Sequence, residues 1–333
     1  SWYIGCLYCE KSLWMMSSFE ESKSVLLKSG FRMPLVGFGT YKLGTIPSSS
    51  TTVSSTPPPD TFTVVTNALH FGYRMFDCAE FYNNEASVGD AIQAYRPTIP
   101  RSELFLISKC WTSTIHAGAE SIVNQVNTTL SDLKTDYIDL YLIHWPVPAC
   151  HTTAFHTLAK LQKQGKIRSI GVSNYTIEDI MELESTLDES TPPICVNQIE
   201  INPFLYRKLT LDYCVSKGIH CQAYRALRDG KALHHETIQR IALKYNVSNS
   251  VVLLKWCLQN GISVVVKSAD SNRMKQNVDG LWNVFELDEY EMKELDQLTT
   301  HEALEAFTET YKKCVVRDTP LSGSSVRAAF TQN

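Results

Sequence analysis

The sequence lacks the marks of several large protein classes. No stretch of its 333 residues approaches the ~20 consecutive apolar residues that a membrane-spanning helix needs. Positive charge is not in excess, since the formal net charge is -4, and this argues against a nucleic-acid-binding protein. With 44% hydrophobic and 20% charged residues, the chain is not disordered as a whole. We therefore expect a folded protein whose partners are neither nucleic acids nor membranes.

A second cysteine pair is also missing. Cys6 and Cys9 have the spacing of a redox or metal motif, but no matching pair follows among the ten cysteines. We therefore expect no metal site, and reduced thiols in a cytoplasmic protein. The first residues lack both an initiating methionine and the basic start of a signal peptide, so we expect residues 1–22 to lie outside the fold.

The sequence does contain a recurring unit of helix, glycine and buried strand. Each glycine stands where a helix needs a left-handed residue before the chain enters the strand. The four glycines are Gly72, Gly165, Gly218 and Gly261. The strands are continuous apolar runs, as expected when both faces of a sheet are covered. They span residues 35–39, 73–77, 104–109, 138–143, 167–172, 195–199, 219–224 and 262–266.

Eight strands that alternate with helices predict an α/β fold, a single (β/α)8 TIM barrel. The alternative, a doubly wound sheet, is weakened because no G-x-G-x-x-G turn follows the first strand. We expect a short hairpin at residues 24–34, the barrel over residues 23–300, and a C-terminal tail or loop over the active-site face at residues 301–333. Residues 44–60 are rich in Ser, Thr and Pro and indicate a surface loop, with a lid as the alternative.

Polar residues stand at the carboxyl ends of three neighbouring strands, where a barrel of this kind carries its chemistry. Asp77 ends one strand and Tyr82 follows it, Lys109 ends the next strand, and His144 follows the third. Taken singly, each has an ordinary structural explanation, such as an ion pair, a phenol on a carbonyl or a turn cap. Taken together, they predict a proton-transfer set in which Asp77 holds Lys109 and Lys109 lowers the pKa of Tyr82. A barrel aldolase or isomerase that uses Lys109 is an alternative.

Over residues 24–300 the sequence resembles the aldo-keto reductases. The motifs that carry the resemblance are GFGTY, YRMFDCAEFYNNE, ISKCW, DLYLIHWP, GKIRSIGVSNY, VNQIEINPF and VVVKSADSNRMKQN. The resemblance implies hydride transfer from NADPH to a carbonyl by a catalytic tetrad of Asp77, Tyr82, Lys109 and His144. Relatives that reduce C=C bonds carry Glu at the histidine position, so His144 favours C=O reduction.

The resemblance also implies a set of residues that bind NADPH or NADP+. These are Gly39, Thr40, Tyr41, Asp77, Ser173, Asn174, Gln198, Tyr224, Arg225, Leu227, Lys267, Ser268, Arg273, Gln276 and Asn277. In the family, residues at the positions of Ser173, Asn174 and Gln198 bind the nicotinamide carboxamide, and an aromatic residue at the position of Tyr224 stacks on its ring. Lys267, Ser268 and Arg273 match the 2′-phosphate site, and two cations there favour NADPH over NADH. Arg225 departs from the usual serine and can pair with the pyrophosphate.

The substrate side is aromatic, and four ring-bearing residues at loop positions on one face indicate a pocket. With the histidine of the tetrad, the expected substrate-binding residues are Tyr41, Phe81, Trp111, His144 and Trp145. We therefore expect a monomeric NADPH-dependent enzyme that reduces small aldehydes and ketones, of the NADP-dependent alcohol dehydrogenase or aldehyde reductase type. The alternative is an NADPH-binding regulatory or sensor barrel with little catalysis.

Overall fold

The structure is a computed structural model that describes residues 23–44, 60–282 and 285–322. Residues 1–22, with the Cys6 and Cys9 pair, lie outside the described residues, and so does nearly all of the Ser/Thr/Pro-rich stretch. The predictions for those two segments are therefore not addressed by the structure. None of the helices in the described part of the chain has both the length and the apolarity that a membrane crossing would need.

A two-stranded antiparallel hairpin and a closed eight-stranded parallel barrel form the sheets. The hairpin consists of β1 (Ser24–Leu26) and β2 (Arg32–Pro34). The barrel strands are β3 (Val36–Gly39), β4 (Met75–Asp77), β5 (Phe105–Cys110), β6 (Ile138–Ile143), β7 (Ile167–Ser173), β8 (Val196–Glu200), β9 (His220–Tyr224) and β10 (Ser263–Val266). Neighbours follow chain order, and β10 pairs with β3 to close the ring. The barrel prediction is confirmed, and the doubly wound alternative is excluded.

Helices alternate with the strands and cover the outside of the barrel. In the described residues they are α1 (Thr61–His70), α2 (Glu85–Tyr95), α3 (Thr112–Ala117), α4 (Ala119–Asp132), α5 (His151–Lys163), α6 (Ile177–Glu184), α7 (Lys208–Ser216), α8 (Glu236–Tyr245), α9 (Asn249–Gln259), α10 (Ser271–Asp279), α11 (Glu289–Asp296) and α12 (His301–Cys314). The predicted junction glycines are left-handed, with φ of 92° at Gly72, 78° at Gly165, 65° at Gly218 and 70° at Gly261. Because glycine has no Cβ, it takes this conformation without steric cost.

The apolar core has an outer and an inner part. The outer part fills the space between the strands and the helices, and the inner part lies inside the barrel. Met33 of the hairpin and Met75 of β4 both belong to the inner part and are fully buried. The hairpin therefore contributes to the barrel core at the end opposite the carboxyl ends of the strands, and it leaves the face at those carboxyl ends clear.

The C-terminal segment is helical where we expected a tail or loop. Helix α12 begins after Thr300, whose hydroxyl accepts a hydrogen bond from the Ala303 N–H at 3.2 Å. Its buried residues are Phe307 and Tyr311, which are four apart and therefore share one face. Since so narrow an apolar stripe gives a weak periodic signal, the sequence did not indicate a helix. The C-terminal segment does lie over the face where we expected it, because it packs on Trp111 and Trp145 beside the strand ends.

Candidate active site

Three of the four tetrad side chains form one connected group at the carboxyl ends of β4 and β5. Lys109 Nζ lies 2.7 Å from Asp77 Oδ1, and it donates to the phenolic oxygen of Tyr82 at 3.1 Å. A third bond from the same ammonium group goes to the Cys78 carbonyl at 2.9 Å. Lys109 is fully buried and Asp77 nearly so, and a buried ammonium needs such partners to remain stable in the fold.

The phenol of Tyr82 keeps its proton, contrary to our expectation of a lowered pKa. Burial, followed by the charge of Asp77, raises the pKa of Tyr82 well above its usual range. The predicted contact with Lys109 exists, but the loss of solvation outweighs the attraction of the ammonium group. Because the phenolic oxygen already accepts from Lys109, the hydroxyl proton points elsewhere. It donates to no residue in the described part of the chain, so it is available to a ligand.

His144 completes the group as a neutral imidazole. Burial, followed by the positive charge of Lys109, lowers the pKa of His144 well below its usual value. Its ring centroid lies 6.0 Å from that of Tyr82 and 5.0 Å from that of Trp111, both edge to face. Its Nδ1 has no hydrogen-bond partner among the described residues. A neutral imidazole can donate one N–H to a carbonyl oxygen, and it carries no charge that would compete with Lys109.

The residues expected to hold the nicotinamide come together on β7, β8 and β9. Asn174 has a left-handed backbone with φ of 63°, and its Nδ2 donates to the His144 carbonyl at 3.0 Å and to Ser173 Oγ at 3.2 Å. The hydroxyl of Tyr224 donates to Asn174 Oδ1 at 2.6 Å. Gln198 Nε2 donates to Asp77 Oδ1 at 2.7 Å, so this group is joined directly to the tetrad.

Positive charge gathers at the end of β10, where the 2′-phosphate site was expected. Burial, then the nearby charges of Lys42 and Arg273, lower the pKa of Lys267. Ser268 lies beside them and accepts a hydrogen bond from the Asp270 N–H at 3.1 Å. Sequence reasoning missed Lys42, although it directly follows Tyr41 at the end of the first barrel strand. The sequence did contain a signal for Lys42, since it is a positively charged residue directly after Tyr41, which was already among the expected cofactor residues.

Other expected cofactor residues have partners within the protein. Thr40 Oγ1 donates to the Asp77 carbonyl at 2.9 Å, and Asn277 Oδ1 accepts from Ser250 at 2.8 Å. Arg225 forms ion pairs with Glu200 and Asp229, both at 2.9 Å, rather than facing solvent as a single charge. Gly39 is buried in β3, Leu227 is half-buried, and Gln276 is exposed on α10. These expected cofactor residues therefore range from buried to exposed, and three of them, Thr40, Arg225 and Asn277, are hydrogen-bonded or ion-paired within the protein.

The aromatic residues expected in the substrate pocket form a continuous wall. The rings of Phe81 and Trp111 stack at 4.0 Å, and Tyr41 lies 6.4 Å from Phe81 and 5.0 Å from Tyr82. Trp145 is in the same apolar cluster as Trp111 and contacts the ring of Tyr311 at 6.2 Å. The wall therefore begins beside the tetrad and continues to helix α12.

The segment after α12 binds this wall, and sequence reasoning did not identify its contacts. Trp111 Nε1 donates to Asp318 Oδ2 at 2.8 Å, and the Thr112 hydroxyl donates to the Arg317 carbonyl. The guanidinium of Arg317 lies 5.2 Å from the ring centroid of Phe81. Tyr311 fixes the preceding helix by donating to the Asp179 carboxylate at 2.7 Å. The C-terminal segment is thus part of the site.

Removing the Asp318 carboxylate should loosen this cover. In Asp318→Ala the Trp111 indole loses its acceptor, so we expect KM for carbonyl compounds to rise about fivefold while kcat changes little. The separate effects on KM and kcat are measured by steady-state kinetics. Glu309→Ala, which removes an exposed carboxylate of α12, is the matched control. Unchanged KM in Asp318→Ala would contradict the prediction.

Comparisons with known proteins agree on one family. The sequence profile of the Aldo/keto reductase family matches residues 35–300. The glyoxal reductase of Bacillus subtilis (strain 168) is 36% identical over 84% of this chain and 94% of its own length. The NADPH-dependent D-xylose reductase of Meyerozyma guilliermondii is 33% identical over 83% of this chain and 94% of its own length. The crystal structure of an aldo-keto reductase from a Medee basin deep-sea metagenome library superposes with a TM-score of 0.73, at 32% identity over 83% of this chain and 95% of that one.

Proposed function

Because the chain belongs to the aldo/keto reductase family, we propose that it is an NADPH-dependent reductase that converts aldehydes and ketones to alcohols. The observation that carries this proposal is the phenol of Tyr82, which lies beside the buried Asp77–Lys109 pair, accepts from Lys109 and donates to no residue in the described part of the chain. A proton donor at that position is what reduction of a carbonyl requires, because the oxygen must be protonated as its carbon gains hydride.

The residues present fit NADPH. The hydrogen bonds of the Gln198 side chain to the described residues are both made by its nitrogen, which leaves its oxygen as an acceptor for the N–H of the carboxamide. Ser173, Asn174 and Tyr224 surround the same position, and a nicotinamide would replace the bond between Tyr224 and Asn174. The positive charges of Lys42 and Arg273 both act on Lys267, and a phosphate dianion would relieve that repulsion. NADPH, when bound, would supply the hydride.

The protein's own part of the reaction follows from the tetrad. The aromatic wall and the neutral imidazole of His144 orient the carbonyl, and Tyr82 donates its proton to the oxygen. Lys109 lies 3.1 Å from the phenolic oxygen and stabilises the negative charge that develops there, while Asp77 holds Lys109 in place. Although burial raises the pKa of Tyr82, an alkoxide is a much stronger base than a phenolate. The transfer is therefore favourable, and the phenol stays protonated at neutral pH.

The substrate classes are small aldehydes, ketones and aldoses. The relatives' names give glyoxal and D-xylose as substrates of those proteins. In this chain, the wall of Tyr41, Phe81 and Trp111 leads from the tetrad to the C-terminal segment, and apolar walls with a few polar groups suit small carbonyl compounds.

The test is oxidation of NADPH with a panel of a dicarbonyl, an aromatic aldehyde, a ketone and an aldose. We expect turnover with at least the aldehydes, and faster turnover with NADPH than with NADH. Tight NADPH binding without turnover of any carbonyl would instead favour a regulatory barrel. If tryptophan fluorescence showed no binding of NADPH, the proposal would be wrong. A barrel enzyme that uses no dinucleotide, such as an aldolase or isomerase that uses Lys109, would then be favoured.

Lys267→Met should reduce the preference for NADPH over NADH by about tenfold, because one charge-assisted bond to the 2′-phosphate is lost. The quantity measured is the ratio of the two dissociation constants. Lys275→Met removes an exposed lysine of α10, the helix that follows β10, and should leave the ratio unchanged. An equal loss of affinity for both cofactors in Lys267→Met would count against a 2′-phosphate site.

A further inference from the structure

Two buried amide side chains, those of Gln198 and Gln222, connect the Asp77 carboxylate to methionines of the inner barrel core. Gln198 Nε2 donates to Asp77 Oδ1 at 2.7 Å and to Gln222 Oε1 at 2.8 Å. Gln222 Nε2 in turn contacts the sulfur atoms of Met33 at 3.7 Å and Met75 at 3.6 Å. Gln222 is fully buried and Gln198 is 2% exposed, so water does not compete for these bonds.

The barrel register places the two glutamines side by side. Gln198 on β8 is paired with Gln222 on β9, and Ser173 on β7 is paired with Gln198. The amides of Gln198 and Gln222 therefore meet inside the barrel, at the level of the residues that surround the nicotinamide site. A substitution of Gln222 would therefore affect that site indirectly, through Gln198 and not through a contact with the cofactor.

Two acceptors fix the orientation of the Gln198 amide. Its nitrogen has two hydrogens, and one goes to the Asp77 carboxylate while the other goes to the Gln222 carbonyl. The Asp77 carboxylate determines that the nitrogen of the Gln198 amide, and not its oxygen, faces the tetrad, because the amide oxygen and the carboxylate would repel each other. Gln222 supplies the second anchor, which fixes the plane of the amide and hence the direction of its free oxygen.

Gln222 is itself held in the productive orientation. Its nitrogen faces two thioether sulfurs, which are weak acceptors, and its oxygen faces the Gln198 N–H. The reverse orientation would set the N–H groups of the two glutamines against each other. Nothing else in the described part of the chain accepts the second Gln198 hydrogen.

We propose that Gln222 is a positioning residue for the reaction, which acts through Gln198 to aim an acceptor at the nicotinamide carboxamide. This inference rests on the proposed function, in which Gln198 binds that carboxamide. Without Gln222, the Gln198 amide turns about its remaining bond to Asp77, and its oxygen leaves the carboxamide N–H. Recognition of the carboxamide then weakens, while the phosphate contacts at Lys267 and Arg273 remain.

The experiment compares NADPH with its reduced 3-acetylpyridine analogue, in which a methyl group replaces the carboxamide nitrogen. The analogue has no N–H for the Gln198 oxygen, so the wild-type protein should bind NADPH more tightly than the analogue. In Gln222→Met this ratio of dissociation constants should fall about fivefold, as expected for one weakened hydrogen bond. General damage to the barrel would weaken both ligands alike and leave the ratio unchanged.

Gln222→Asn tests the same point with a polar side chain that is one methylene too short to reach Gln198, and we expect the same fall. Leu140→Met changes the same inner core at similar volume, keeps both glutamines and both thioethers, and should preserve the wild-type ratio. A wild-type ratio in both Gln222 variants would overturn the positioning role while leaving the proposed function intact. Failure of the wild-type protein to bind NADPH would overturn both.

Discussion

Replacement of Tyr82 by phenylalanine should abolish carbonyl reduction while NADPH still binds. The hydroxyl of Tyr82 donates to none of the described residues, and the ring can keep its place against His144 and Tyr41 without the hydroxyl. Loss of a general acid typically costs about a hundredfold to ten-thousandfold in rate. We expect a loss of kcat in this range, with the dissociation constant of NADPH, measured by quenching of tryptophan fluorescence, changed less than twofold.

Tyr73→Phe is the matched control. Tyr73 is a buried tyrosine at the start of the same segment, and its hydroxyl donates to the Met274 carbonyl at 3.1 Å, away from the tetrad. That variant also loses one buried hydroxyl, so it shows how much the loss of such a group lowers activity when the group does not take part in proton transfer. We expect its kcat to stay at the wild-type value. Normal turnover in Tyr82→Phe would remove the phenol from the mechanism and leave His144 as the remaining proton donor to test.

The strand ends were predictable because parallel strands of a closed barrel end at one face. Asp77 and Lys109 lie at the carboxyl ends of β4 and β5, and His144 follows β6, so the order of the apolar runs was enough to predict that they meet. The aromatic wall was predictable for the same reason, since Phe81 and Trp111 follow adjacent strands. The local pattern therefore predicted both the fold and the side chains that meet at the candidate site.

The electrostatic balance and the distant partners were not predictable in this way. The effect of Lys109 on Tyr82 competes with burial, and only the packed structure shows that burial prevails. The partner of the Trp111 indole, Asp318, lies 207 residues further along the chain, in a segment with little periodicity. Arg225 follows Tyr224, but its pairing depends on Glu200 at the end of the preceding strand.

Glu85→Gln should make the protein more stable at neutral and alkaline pH. Glu85 is 4% exposed at the start of α2, where Ser108 donates to one oxygen at 2.5 Å and Thr129 donates to the other at 2.9 Å. Burial raises the pKa of Glu85 from 4.5 to about 7, with smaller contributions from Asp132 and Glu80, and the two hydroxyls only partly oppose the shift. The native state therefore keeps a proton that the unfolded chain releases.

The direction of the pH effect follows from this raised pKa. Below the unfolded-state pKa of 4.5 both states are protonated, and the contribution of Glu85 to stability is at its greatest. As pH rises toward 7, the unfolded chain loses its proton first, so the free energy of unfolding falls, by about 3 kcal/mol in total. A neutral glutamine can exchange hydrogen bonds with both hydroxyls and has no such dependence.

Urea unfolding of both proteins from pH 5 to pH 8 measures this directly. The gain in free energy of unfolding of Glu85→Gln over the wild type should be small near pH 5 and approach about 3 kcal/mol near pH 8. Glu189→Gln, which alters an exposed carboxylate, serves as the control for the loss of one negative charge. A gain that does not vary with pH would mean that Glu85 titrates alike in both states. The short contact with Ser108 would then be a bond to an ionised carboxylate.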